Sequence, residues 1–400
     1  MMRIDRLCSW LQDDLALLMA QEGSDMQADV FEIAAREKAN LFHTAAADDF
    51  TLTAVDAVDA HTILEDPNIS LYCLDPPNRL ALFVEVPDVD VLLAAPFFYV
   101  GQFEQAIRVF KVPYATLERL ADAVTLDDRR LVLIHSMGRC GSTLMSTALG
   151  HLEETLCVSE PDVFTQLAEL RDPAGSNAVE ISRMVRSCLL LTCKPHRERV
   201  QPWRVVKFRS FVITLGEQLH AHFPRARTLF LYRHPEPWGR SVARAFGGDV
   251  RPTKTLLLGA WKESARVLQK VRQYPLSDPA DISVGLFVGI IWLSFMERCL
   301  ELQQAGLTIL PVRYEDLSAN PRAVTAKVLD FCAIPNVDLD EFGDLFRKDS
   351  QAATPLSRQA LKQVSWELDP TDLAAIRQVI AGEPRIKTPD FILPHTLQLS

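Results

Sequence analysis

The residues best arranged for chemistry lie in the stretch Ser136-Met137-Gly138-Arg139-Cys140-Gly141-Ser142-Thr143. Two glycines, a cation and several hydroxyls sit within one short turn. A turn of this kind lets backbone N–H groups converge on one point, and a helix opening at Ser142 adds its dipole to the same point. The chemistry is that of an anion cradle. The turn lacks the Gly-Lys-Ser/Thr ending of a Walker A loop and is shorter than GxxxxGK[ST]. It is therefore expected to hold a phosphate-like group other than the triphosphate of ATP.

A second set follows in Leu229-Phe-Leu-Tyr-Arg233-His-Pro-Glu-Pro-Trp-Gly-Arg240-Ser241. An apolar strand ends in Arg233, Pro235 starts a helix, and Ser241 lies about two turns into it. A strand-end guanidinium and a helix hydroxyl can together clamp a second phosphate. The plainer alternative pairs Arg233 with a local carboxylate. A third set, Tyr314-Glu315-Asp316-Leu317 with Asn320-Pro321 after it, reads as a loop tied by carboxylates and a capped helix running to Phe331.

These residues need elements to position them. Leu131 to Ile134, Trp203 to Lys207, Thr228 to Tyr232 and Leu307 to Val312 read as strands with helical stretches between them. That alternation predicts an α/β fold: a three-layer, P-loop-like parallel sheet flanked by helices. Ligands in such sheets sit at the carboxyl ends of the strands, where the glycine turn lies. Before residue 128 the pattern differs. Ile4 to Met19 has a helical apolar face, Ser70–Leu74 and Leu80–Val86 read as two strands, and Phe97 to Val124 reads as two helices split near Pro113. The chain is thus expected to divide into a small α+β section of unassigned role, 1–127, and a larger domain, 128–400.

Charge divides the same way. Residues 1–127 hold 8 Lys/Arg against 22 Asp/Glu, whereas 183–244 hold 13 Lys/Arg against 3 Asp/Glu. A basic block inside a chain of net charge −10 implies an anionic ligand in one pocket rather than a nucleic-acid-coating surface. A solvated basic face is the simpler alternative. Met1 to Gln21 carries Asp5, Asp13 and Asp14 and lacks the form of a signal peptide. The apolar run Val284 to Met296 is too short to span a bilayer and is expected to be a buried helix. The eight cysteines form no CxxC pair. A cytoplasmic protein with free thiols and no membrane partner is expected.

The three sets, in this order and spacing, resemble the sulfotransferase superfamily, which uses 3′-phosphoadenosine-5′-phosphosulfate (PAPS) as sulfuryl donor. The resemblance covers roughly residues 130–335. It implies that Gly138, Arg139, Cys140, Gly141, Ser142 and Thr143 bind the 5′-phosphosulfate, and that Arg233 and Ser241 bind the 3′-phosphate. It implies further that Arg139 stabilises the leaving oxygen and that Lys207 touches the sulfuryl group. No metal is implied. The run Arg347-Lys348-Asp349-Ser350-Gln351 resembles in place and charge a late basic loop that closes over the 3′-phosphate; a solvated charge run is the alternative.

The base is where this chain departs from the family. Cytosolic members carry Lys-x-His; here the stretch is Lys207-Phe208-Arg209, so the His is replaced. Members acting on glycans or protein tyrosine use a Glu placed as Glu160 is here, before Pro161. Glu160 is thus the expected base, the alternative being an ion pair that only orders the site. His135 is a lesser candidate, set against a buried structural role. Cys140 is read as a small loop residue rather than a reactive thiol. Phe97, Phe98, Tyr99 and Phe103 form either an acceptor wall or part of the core. His220 and His222 are two apart on a helix and do not share a face. The expected activity is sulfuryl transfer to a hydroxyl or amine of a small-molecule acceptor. The alternatives are a P-loop phosphotransferase and a nucleotide-binding protein without catalysis.

Overall fold

The structure, a computed structural model, describes residues 51–53, 60–195, 201–246, 251–276, 281–335, 337, 342–343, 345–346, 348–352, 354, 356–362 and 366–399. The helical face expected from Ile4 to Met19, and Arg347, lie outside the described residues.

Two sheets organise the chain. In the first, β1 (Thr51–Thr53), β4 (Arg108–Pro113), β3 (Leu80–Glu85) and β2 (Ile69–Asp75) lie side by side in that order. β2, β3 and β4 are antiparallel, while β1 runs parallel to β4. The expectation of two helices over 97–124 is corrected here. Helix α1 (Phe98–Gln105) is followed by strand β4, and the second helix begins at Tyr114. The segment Arg108-Val-Phe-Lys-Val is rich in β-branched and aromatic residues, and Val109, Phe110 and Val112 are buried. It finds a partner in β3, with Phe110 opposite Phe83, and pairing in register outweighs local helix propensity.

The second sheet is wholly parallel: β6 (Thr155–Ser159), β7 (Trp203–Lys207), β5 (Leu131–Ser136), β8 (Arg227–Tyr232) and β9 (Ile309–Arg313), in that order. The fold is α/β, with helices on both faces. Every residue of β5 is buried, as a central parallel strand requires. Its alternate side chains divide between two cores. Leu131 and Leu133 join Phe164, Leu189, Phe83 and Phe110, so the antiparallel sheet shares a core with one face of the parallel one. Val132 and Ile134 join Leu229, Trp238, Trp292 and Ile376.

The helices that bear on the site are α2 (Ser142–Gly150), α3 (Pro235–Phe246), α4 (Val284–Gln304) and α5 (Tyr314–Ala319). The apolar run expected to be a buried helix is the first part of α4, fourteen of whose residues are buried. Among the described residues no helix is long and apolar enough to cross a membrane. Asn320 caps the helix beginning at Pro321, accepting from Ala323 N at 3.2 Å, as its sequence indicates.

Candidate active site

Parallel pairing brings the carboxyl ends of β7, β5 and β8 together. Ser136 pairs with Leu231, Ile134 with Lys207, and Ser159 with Lys207 on the other side. The glycine turn therefore leaves β5 beside the Arg233 turn that leaves β8. Glu160 emerges next to Lys207.

Within the turn, Gly138, Arg139 and Gly141 all have positive φ, at 73°, 51° and 82°. Arg139 adopts this conformation without a glycine's freedom, a strain of order 1–3 kcal/mol that its neighbours must hold. Trp238 does part of this, its buried indole N–H donating to Gly138 O at 3.0 Å. Gly141 is required on two counts. Its φ is left-handed, and a Cβ there would come within 2.8 Å of Leu317 Cδ2 and 3.2 Å of Tyr314 Cδ2. Gly141 is also the N-cap of α2 and supplies no capping side chain. The first N–H groups of α2 thus face the turn with no side-chain cap, the arrangement that favours an anion.

The side chains expected at the site converge on this turn. Ser136 Oγ donates to Ser142 Oγ at 3.2 Å. Lys207 Nζ, on a residue 1 % exposed, reaches Thr143 Oγ1 at 3.4 Å and is ion-paired with Glu160. Glu160 has a positive φ of 61°, and its N–H donates to Lys207 O at 2.6 Å. Arg139 Nε donates to Ser241 Oγ at 3.3 Å, while its Nη1 donates to Gln351 Oε1 and to Leu356 O at 3.5 Å. Arg233 Nη1 donates to Arg139 O at 3.3 Å, and its guanidinium lies 4.3 Å from the Tyr314 ring centre. Trp292 Nε1 holds the Arg233 carbonyl at 2.8 Å, and Glu315 accepts from His234 N at 3.0 Å.

The electrostatics are those of a site built for negative charge. Burial, then the neighbouring Arg233, holds the Arg139 pKa below its ordinary value. Both causes disfavour an unpaired positive charge, and a bound anion would offset them. Among the described residues, the buried Arg233 Nε has no hydrogen-bond acceptor, a further donor consistent with an anionic ligand. Cys140 is fully buried and its Sγ donates to Leu231 O at 3.1 Å. Burial pushes its thiol up to about 11, which makes it a loop-packing residue.

His135 lies apart from these groups. It is 3 % exposed, its ring 5.0 Å from that of Phe208, and burial pushes its pKa down to about 3. Its imidazole is held neutral within the core. The aromatic residues considered for an acceptor wall divide. Phe98 is buried with Val86, Leu92 and Val158, and Phe103 packs on Leu82 and Val109. Phe97 lies instead with its ring centre 5.9 Å from Lys207 Nζ, and that of Tyr99 lies 5.3 Å from the Arg209 guanidinium. Ser159 Oγ donates to Pro96 O at 2.9 Å and ties this segment to the end of β6.

Arg209, in the position of the replaced His, is bound to Asp162 at 2.6 Å. Burial alone would lower its pKa, but Asp162, Tyr99 and Glu160 together raise it above the ordinary value. From the late basic run it is Gln351 that reaches the turn: its Nε2 lies 3.5 Å from Thr143 Oγ1, while Lys348 is exposed. Trp238 and Trp292 are supports that sequence reasoning missed, since an indole N–H reaching a carbonyl 100 or 59 residues away leaves no local pattern.

No family model matches the chain, and no curated protein matches it. Among solved structures it is similar to the sulfotransferase domain from the curacin biosynthetic pathway, at 16% identity and a TM-score of 0.35, covering 68% of this chain and 95% of that one. It is also similar to a sulfotransferase from Alicyclobacillus acidocaldarius, at 14% identity and a TM-score of 0.35, covering 63% and 94%. A sulfotransferase from Mycobacterium avium aligns at 11% identity and a TM-score of 0.37, covering 67% and 79%.

Proposed function

We propose that this chain is a PAPS-dependent sulfotransferase acting on a hydroxyl or amine of a small-molecule acceptor. The observation that carries the reading is the convergence of two arginines on the glycine turn: Arg233 Nη1 reaches the Arg139 carbonyl at 3.3 Å, and Arg139 Nε reaches Ser241 Oγ at 3.3 Å. Arg139 from the turn after β5 and Arg233 from the end of β8 share one site, and burial and mutual repulsion act on Arg139 there. Two anionic groups on one ligand fit that pair better than one.

The donor supplies an activated sulfuryl group and a phosphate leaving group. In this reading the turn's N–H groups with Ser142 and Thr143 hold the 5′-phosphate, and Arg233 and Ser241 hold the 3′-phosphate. Arg139 and Lys207 stabilise the negative charge that grows on the leaving oxygen, as in phosphoryl transfer, where positioning and charge stabilisation dominate. Glu160, beside Lys207, takes the acceptor's proton. Phe97 and Tyr99 border the acceptor.

The test is turnover of labelled PAPS over a panel of phenols, alcohols and amines, with Glu160→Gln as the control. Label transferred by the wild type, and lost at least ~100-fold in Glu160→Gln with binding of the released product, 3′-phosphoadenosine-5′-phosphate (PAP), retained, supports the reading. Unchanged turnover in the variant removes Glu160 from the role of base. PAP binding with no transfer to any acceptor favours a nucleotide-binding protein without catalysis.

A further inference from the structure

Tyr314 stands between the two anion-binding turns and touches both. On one side, the Gly141 backbone lies so close that a Cβ would meet the ring at 3.2 Å. On the other, the Arg233 guanidinium lies 4.3 Å from the ring centre, within the range of a cation–π contact. The same short helix α5 adds two more ties. Leu317 Cδ2 is the nearest atom to that hypothetical Cβ, at 2.8 Å, and Glu315 accepts from His234 N at 3.0 Å, one residue past Arg233. The turns also meet directly, Arg233 Nη1 donating to Arg139 O at 3.3 Å. The glycine turn is fixed from behind by Trp238 and the Arg233 turn by Trp292, through separate carbonyls.

We infer that Tyr314 is a positioning residue: its ring is the spacer that sets the separation of the two anion subsites and aims Arg233. The inference rests on the proposed donor, whose two phosphates need two subsites at one fixed distance. An aromatic ring suits the task. It is rigid, its face attracts the guanidinium, and its bulk fills the space between Gly141 and Arg233. The phenolic hydroxyl has no part in this, so phenylalanine should serve as well as tyrosine and a flexible aliphatic side chain should not.

The experiment is calorimetric titration of PAP and of 5′-AMP into the wild type, Tyr314→Phe and Tyr314→Leu, each with and without Arg233→Met. Thermal melts of each variant check folding. The expected result is PAP affinity within about twofold of wild type for Tyr314→Phe, and at least about tenfold weaker for Tyr314→Leu. In the wild type, Arg233→Met should cost at least about tenfold; in the Tyr314→Leu background the same change should cost less than about threefold, because Arg233 is no longer aimed. A general loss of folding would appear in the melts and would not be rescued by phenylalanine. Equal PAP affinity for Tyr314→Leu and wild type, or an undiminished cost of Arg233→Met in the leucine background, overturns the spacer while leaving the donor reading intact. A wild-type chain that takes no PAP overturns both.

Discussion

Replacing Lys207 by methionine tests how far the site depends on one buried ion pair. The Lys207 side chain is 2% exposed and that of Glu160 15% exposed, and the two are in direct contact. Methionine keeps most of the volume and removes the charge, so the main effect is a carboxylate stranded without its cation. Breaking a buried pair in this way costs about 3–5 kcal/mol. Glu160 retains some access to water, which places the expected loss near the lower end, about 3 kcal/mol. Glu160→Gln strands the more buried Lys207 ammonium, offset in part by a carbonyl oxygen able to accept from Nζ, and should also cost about 3 kcal/mol. The double variant strands neither charge. Its loss should therefore fall well short of the sum, with a coupling of about 2 kcal/mol. Urea unfolding of the four proteins measures this, with equal m-values as the check that the unfolded states are comparable. Additive losses, with coupling under about 0.5 kcal/mol, refute the pair as an energetic unit. Turnover gives the second readout: Lys207→Met should lose about 100-fold or more if the ammonium also stabilises the transferring group.

Three further outcomes follow from the same geometry. His135 has its pKa depressed to about 3 by burial, whereas an unfolded His titrates near 6.5. Between these values the unfolded chain binds a proton that the folded chain does not, so stability should fall as pH drops from about 6.5 toward 3, by at most roughly 5 kcal/mol. His135→Phe should flatten that part of the stability profile in pH-dependent urea melts, and an unchanged acid slope would contradict the assignment. Gln351 lies between Arg139 and Thr143, hydrogen-bonded to both. Gln351→Ala should release those two groups and tighten PAP about threefold or more by calorimetry; weaker binding would show that Gln351 is itself a ligand contact. Ser241→Ala removes the hydroxyl that Arg139 Nε contacts and should weaken PAP by about fivefold to tenfold while sparing 5′-AMP; equal losses for both ligands would contradict a 3′-phosphate role.

Much of the second sheet was legible because parallel buried strands are continuous apolar runs. Trp203–Lys207 has the bounds its sequence suggests, and β5 and β8 run only one or two residues longer than expected. The turn and Arg233 were legible for the same reason, since the ends of such strands are where ligands are met. What was not legible depends on pairing. Glu160 meets Lys207 because β6 and β7 place Ser159 opposite Lys207, a register that no local spacing encodes. The Arg209–Asp162 pair at 2.6 Å is a second case, joining the ends of two neighbouring strands across 47 residues. The Arg108–Pro113 strand was misread because Pro113 looked like a break between helices. In the folded chain it ends a strand and is the N-cap of the helix that follows. Tyr314 was visible as part of a loop, but its place between Gly141 and Arg233 arises only from the β8–β9 pairing, which sets Tyr232 opposite Arg313.

The central claim is that two adjacent subsites take two phosphates of one nucleotide. The most direct measurement is calorimetric titration of PAP, and of ATP with Mg²⁺, into the wild type and Arg233→Met. PAP should bind the wild type, Arg233→Met should weaken it at least about tenfold, and ATP with Mg²⁺ should compete poorly. Tight binding of ATP with Mg²⁺ together with no binding of PAP would contradict that claim.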